Sequence, residues 1–108
     1  MRYVVLMLLT LFATPAIAAS TIEAYMPSCE AALADPDDPQ AGACIFYVGG
    51  VADVFTSHML NWPACSPKGT TVADVLRTFV DWAHRNPDEW QENIFRGVIA
   101  AITERYRC

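Results

Sequence analysis

The stretch that decides the fold is Cys44-Ile-Phe-Tyr-Val-Gly-Gly-Val-Ala-Asp-Val54. No residue from Ala43 to Ala52 carries a charge, and Gly49 and Gly50 stand side by side near the centre. A glycine pair in an apolar run is a hairpin turn between short strands, a weak point in a helix, or a place where two backbones meet. A hairpin needs further strands to be stable in water, and no run of strict alternation exists elsewhere in the chain. Helix is therefore the better reading, despite a cost of about 1 kcal/mol per glycine relative to alanine. Asp38-Pro39, an N-cap followed by a first-turn proline, predicts where this helix starts. Nothing before Asn61 stops it except the glycines. Because it is apolar nearly all round, it is expected at the centre of the fold, with Gly49 and Gly50 where a neighbouring helix crosses.

Working outward, three more helical segments appear. Ser20-Thr-Ile-Glu23 has the form of a capping box, and Pro27 is expected to kink or restart the helix it opens. Thr71-Val-Ala-Asp74 is a capping-box variant. It precedes Val72, Val75, Leu76, Phe79, Val80 and Ala83, which share one helical face while Asp74, Arg77, Asp81 and Arg85 face away. Asn86-Pro87-Asp88-Glu89 predicts the start of a fourth helix. Its apolar face is Ile94, Phe95, Val98, Ile99, Ile102 and Tyr106, with Glu92 and Arg96 as an i,i+4 pair outside. The expected fold is all-α, a small disulfide-stapled bundle of about four helices.

The first residues read differently. Met1-Arg2 is a short positive region, Val4 to Ala13 an apolar one, and Ala16-Ile17-Ala18 a small-x-small cleavage site. Residues 1–19 are thus expected to be a secretory signal peptide cut after Ala18 or Ala19, the apolar part being too short to span a bilayer. Residues 20–108 form a single helical domain in this reading. They carry six basic and twelve acidic residues, a net charge of about −6, which argues against nucleic acid or an anionic membrane as partner.

Cys29, Cys44, Cys65 and Cys108 make an even count in a small exported chain, the mark of a disulfide framework. A zinc site is disfavoured because no C-x-x-C or H-x-x-x-H pair seeds one, and no other cofactor is implied. The short link Asp35-Pro-Asp-Asp-Pro39 makes the first two helices antiparallel and brings Cys29 to Cys44. The turn at Asn86-Pro87 returns the fourth helix beside the start of the third and brings Cys108 to Cys65.

No catalytic constellation stands out. His84 lies at helical spacings from Asp81 and Asp88, but two of these three fall on the solvated side and Asp88 suits a helix first turn. His58 suits a helix C-terminus for the same reason. Asp53 either emerges into water at the helix edge or is a buried carboxylate that fixes the packing. The segment His58-Met-Leu-Asn-Trp-Pro-Ala-Cys65 carries apolar residues where a loop normally has none. Trp62 is there either a satellite of the core or an exposed anchor for a partner.

Taken together, several features are similar to the Rap/Tai family of immunity proteins. They are Cys44-x-x-Tyr47-Val48-x-Gly50-Val51-x-Asp53, Cys65-x-Pro67-x-Gly69-x-Thr71, the helix with Asp74-Val75 and Phe79, Asn86-Pro87, and Tyr106-x-Cys108. Asp88-Glu-Trp-Gln-Glu92 is more acidic than the family pattern, and the helix after it is bulkier. The resemblance implies a non-enzymatic periplasmic protein associated with type VI secretion. Such a protein binds and blocks a peptidoglycan-cleaving amidase, working as a dimer or in a larger complex with the toxin. Tyr47, Gly49, Gly50, Asp53, Pro67 and Gly69 are structural in this reading. Partner contacts are expected at Asn61 and Trp62 and at Asp35, Asp37 and Asp38, whose charge steers toward a basic cleft. The alternative is a periplasmic acid-response chaperone or structural protein of the same build with no toxin partner.

Overall fold

Thr21 begins the first helix because its hydroxyl accepts from the Ala24 N–H (3.2 Å), satisfying one of the amides a helix start leaves free. In the computed structural model, which describes residues 20–108, α1 spans Ile22–Ala34, α2 Gly42–Thr56, α3 Val72–Arg85 and α4 Ile94–Arg105. The expected signal peptide lies outside the described residues. Among those residues there is no strand, only isolated bridges at Thr21–Asn93 and Ala64–Arg107. The architecture is a small all-α bundle.

Three helix starts differ from the sequence reading, the first because Thr21 rather than Ser20 caps α1. Asp38-Pro39 does not open α2: the Asp38 carboxylate accepts from the Gln40 N–H at 2.8 Å and its carbonyl from the Ala41 N–H at 2.9 Å. That is an Asx turn, and α2 starts only at Gly42. Ala41 offers no side-chain cap, and Ser28 of α1 fills the gap by accepting from the Cys44 N–H at 2.9 Å. Likewise Pro87–Glu89 is a single 3-10 turn, and α4 starts at Ile94 with Asn93 accepting from the Phe95 N–H at 2.8 Å. Pro27 does not restart α1; one helix runs through it.

The centre of the bundle is α3, not α2. Helix α3 packs against α1, α2 and α4, whereas α2 packs against α1 and α3. Phe79 and Val75 of α3 are fully buried among Ile22, Met26, Val48, Ile94, Val98 and Ile102. Trp90 ties the α3–α4 connection down, its indole N–H donating to the Ala83 carbonyl at 2.8 Å. Val72 and Phe95, placed on apolar faces by periodicity, lie at the surface.

The glycine reading is overturned at Gly50, where a Cβ would meet nothing within 4 Å among the described residues, while one on Gly49 would make only ordinary contact with Val72 Cγ1 at the start of α3, at 3.7 Å. The close crossing is at Gly97 of α4, where a Cβ would lie 2.7 Å from Ile22 Cδ1 and 3.1 Å from Phe79 Cε2.

Two disulfides staple the bundle. Cys29–Cys44 joins α1 to α2 and both its cysteines are fully buried. Cys65–Cys108 ties the loop before α3 to the end of the chain, where Cys65 N–H also donates to the Tyr106 carbonyl at 2.7 Å.

Candidate protein-interaction surface

Helix α2 buries Cys44, Val48, Ala52 and Phe55 along one side. Its apolar composition does not end there, and only two neighbouring helices are available to cover it. The opposite side therefore carries Ala43, Phe46, Gly50 and Val54 out into water, with Phe46 83% exposed. Asp53 lies beside this stripe and is exposed, so of its two readings the solvated one applies. Tyr47 flanks the other edge, half-buried, with its ring 5.3 Å from Tyr25. Burial, and next the neighbouring Tyr25, hold its phenol above the ordinary tyrosine range, so it is a donor at neutral pH.

Beyond the C-terminus of α2 the loop exposes further apolar side chains. His58 adopts the left-handed conformation (φ 58°) that terminates the helix, and the chain then exposes Met59 (83%) and Leu60 (59%). Asn61 is exposed too. Trp62 is half-buried, its ring edge-on to Phe55 at 5.5 Å, and Phe55 in turn packs on Tyr106 at 5.3 Å. At the other end of α2, Asp35 and Asp37 are exposed and Asp38 half-exposed. Asp35 Oδ1 accepts from the Asp37 N–H at 2.9 Å, which keeps this acidic loop turned outward.

The five residues expected to contact a partner are thus split between the two ends of α2. At 1.5 Å per residue the 15-residue helix holds them about 22 Å apart. One chain does not bring them together; what lies between them is the apolar stripe. Phe46 was not singled out by the sequence reading, and Met59 and Leu60 were marked only as part of an unusually apolar loop. The available signal was arithmetic: a helix apolar on every side needs more neighbours than a four-helix chain supplies.

Of the motif residues, Pro67 and Gly69 belong to a tight turn. Lys68 and Gly69 occupy the middle of a turn in which the Thr70 N–H donates to the Pro67 carbonyl at 3.2 Å, and Gly69 (φ 89°) takes the left-handed position such a turn requires. His84 pairs with Glu30 of α1 (Nε2 to Oε1, 3.1 Å) rather than with Asp81 or Asp88. A polar groove of about 520 Å³ between the Pro67–Thr70 turn, α3 and α4 is lined by Lys68, Arg77, Arg85 and Arg105 among others. Its charges are largely engaged. Arg85 pairs with Glu104 at 2.8 Å, Arg77 lies 3.8 Å from Asp74, and Arg105 stacks over Tyr106. Among the described residues no group of three or more His, Cys, Asp or Glu side chains could hold a metal ion.

An exposed apolar helix face on a stapled helical domain describes a binding module. Residues 21–108 match the Rap1a immunity proteins. The chain belongs to the Rap1a immunity protein family. Searches among curated proteins and among solved structures return no match. As a Rap1a family member, the chain is suited by its surface to a protein effector, and its two disulfides suit an oxidising compartment outside the cytosol.

Proposed function

We propose that this Rap1a family member is exported by the signal peptide at residues 1–19 and works in the periplasm. There it binds and inhibits a peptidoglycan amidase delivered by type VI secretion, protecting the cell that makes it. The observation that carries the reading is the row of exposed apolar side chains Phe46, Val54, Met59 and Leu60 in a chain of an immunity family. Large apolar groups left in water are what a binding surface uses for its buried centre. Asp35, Asp37 and Asp38 at one end, and Asn61 and Trp62 at the other, form the polar and aromatic rim of that surface. The acidic groups steer encounter with a basic catalytic cleft.

The test is an amidase assay on purified peptidoglycan with increasing amounts of the mature protein. Activity is expected to fall in proportion to the inhibitor added and to stop near stoichiometric addition. A candidate amidase that keeps full activity in excess of the protein is not the target. Failure across every amidase encoded beside type VI genes removes the reading. An acid-response chaperone would instead change its oligomeric state and bind an apolar dye at low pH, without touching amidase activity.

A further inference from the structure

We infer that the groove between the Pro67–Thr70 turn, α3 and α4 binds a small multivalent oxyanion, a molecule with two or more phosphate or carboxylate groups, on Lys68, Arg77 and Arg105.

Charge is spread unevenly over the molecule. Residues 20–108 hold six basic side chains, and four of them, Lys68, Arg77, Arg85 and Arg105, line this one groove. Asp74, Asp81 and Glu104 line it too. The remainder of residues 20–108 carries two basic side chains against nine acidic ones. An anion is therefore repelled by most of the surface and drawn to the groove. The fold gathers these cations from three elements: Lys68 from the turn, Arg77 and Arg85 from α3, and Arg105 from α4.

The pairs within the groove spend only part of this charge. At one end the Arg85–Glu104 contact of 2.8 Å is a closed ion pair. At the other end, near the start of α3, the cations lack such partners. Lys68 pairs with no carboxylate among the described residues. Arg77 stands 3.8 Å from Asp74, too far for a hydrogen bond. Arg105 turns its face to the Tyr106 ring, which leaves the N–H groups at its edge to donate. Asp74 does not neutralise all three, since its Oδ2 already accepts from the Thr71 N–H at 2.9 Å. Its carboxyl is held below the ordinary value by the Thr71 backbone N–H, then by the Thr71 hydroxyl, with Arg77 and Arg105 adding to them. Two guanidinium groups from different helices thus act on one spot.

The remaining donors define the ligand. Thr70 and Thr78 donate their hydroxyls to the Pro67 and Asp74 carbonyls, at 2.7 and 2.8 Å. What is left at this end of the groove is cationic, which selects charged acceptors over neutral polar molecules. The guanidinium fork matches the paired oxygens of a phosphate or a carboxylate. Because Lys68, Arg77 and Arg105 are exposed, salt screens each of them, and a single negative charge gains little. A ligand with several anionic groups meets several cations at once, and about 520 Å³ gives it room. No lining residue belongs to α2 or to the Met59–Trp62 loop, so this site is separate from the surface proposed for the effector.

Isothermal titration calorimetry of the mature protein tests the site, with sodium tripolyphosphate and sodium citrate as probes at a constant ionic strength of about 0.15 M. Saturable one-to-one binding with a Kd below about 1 mM is expected for at least one of them. Binding of tripolyphosphate alone assigns the seat to phosphate groups, of citrate alone to carboxylates, and of both to oxyanions in general. Lys68→Glu and Arg77→Glu should each weaken binding about tenfold or more. Arg96→Glu changes the net charge equally but lies outside the groove, and should alter the affinity less than about twofold. All three side chains are exposed, and an unchanged circular dichroism spectrum checks that each variant is folded. The inference is overturned if neither anion binds saturably up to about 10 mM. Affinity that survives in both groove variants, or falls as far in Arg96→Glu, overturns it too.

Discussion

At the scale of single residues, two glycines in helices behave oppositely. Gly97 is the place where α4 meets α1 and α3, and a methyl group there would press on Ile22 and Phe79, both fully buried and unable to swing away. A Cβ on Gly50 would meet nothing within 4 Å among the described residues. Gly97→Ala is therefore expected to destabilise by about 1–2 kcal/mol, the overpacking outweighing the better helix propensity of alanine. Gly50→Ala is expected to stabilise by up to about 1 kcal/mol, through propensity alone. Urea unfolding of both variants checks the pair. Equal signs for the two would mean that the crossing is not at Gly97. The sequence reading chose the other glycine because Gly49-Gly50 is conspicuous and Gly97 stands alone in Ile-Phe-Arg-Gly-Val-Ile. Which glycine touches a neighbour depends on the crossing of three helices, and no local pattern carries that.

At the scale of elements, the helices were legible and their first residues were not. The spacing of Val75, Leu76, Phe79, Val80 and Ala83 marks one buried face, and the structure buries all five. Asp-Pro and Asn-Pro, by contrast, suit a tight turn as well as a helix start, and at Asp38 and Asn86 the turn prevails. Thr71 is different because its carboxylate partner sits three residues on. The Asp74 N–H donates to the Thr71 hydroxyl at 3.1 Å, and the Thr71 N–H donates to the Asp74 carboxylate at 2.9 Å. The Thr71 backbone N–H, then its hydroxyl, hold the Asp74 carboxyl below the ordinary aspartate value of 3.8. A depressed carboxyl favours the folded state above the unfolded pKa, and that contribution disappears as pH falls through the folded one. The wild-type melting temperature should therefore decline as pH drops below 3.8 toward 2. Asp74→Asn keeps an acceptor for the Thr71 N–H but cannot ionise, so its decline over that window should be shallower. Parallel melting curves for the two proteins between pH 2 and 7 would show that this carboxylate has no part in acid unfolding.

At the scale of the whole molecule, the chain path is simple, two helical hairpins packed together, yet its stability depends on two bridges of unlike character. Cys29–Cys44 closes 15 residues and is fully buried; Cys65–Cys108 closes 43 and both its cysteines are exposed. Chain entropy assigns about 3 kcal/mol to the first and about 4 kcal/mol to the second. Access to a reductant follows exposure, not loop length, so Cys65–Cys108 should open first. What it holds is the loop that carries Met59, Leu60, Asn61 and Trp62. That loop is fixed at its far end by Cys65, by the bond from Cys65 N–H to the Tyr106 carbonyl, and by the Ala64–Arg107 bridge. Opening the bond should loosen this loop while α1 and α2 stay joined at Cys29–Cys44. Treatment with low concentrations of dithiothreitol, alkylation and peptide mapping should label Cys65 and Cys108 before Cys29 and Cys44. At that stage effector inhibition should already be weakened while the helical signal in circular dichroism is largely retained. Labelling of Cys29 and Cys44 first, or inhibition that survives until the helices melt, would mean that the terminal bridge does not organise the binding end of the molecule.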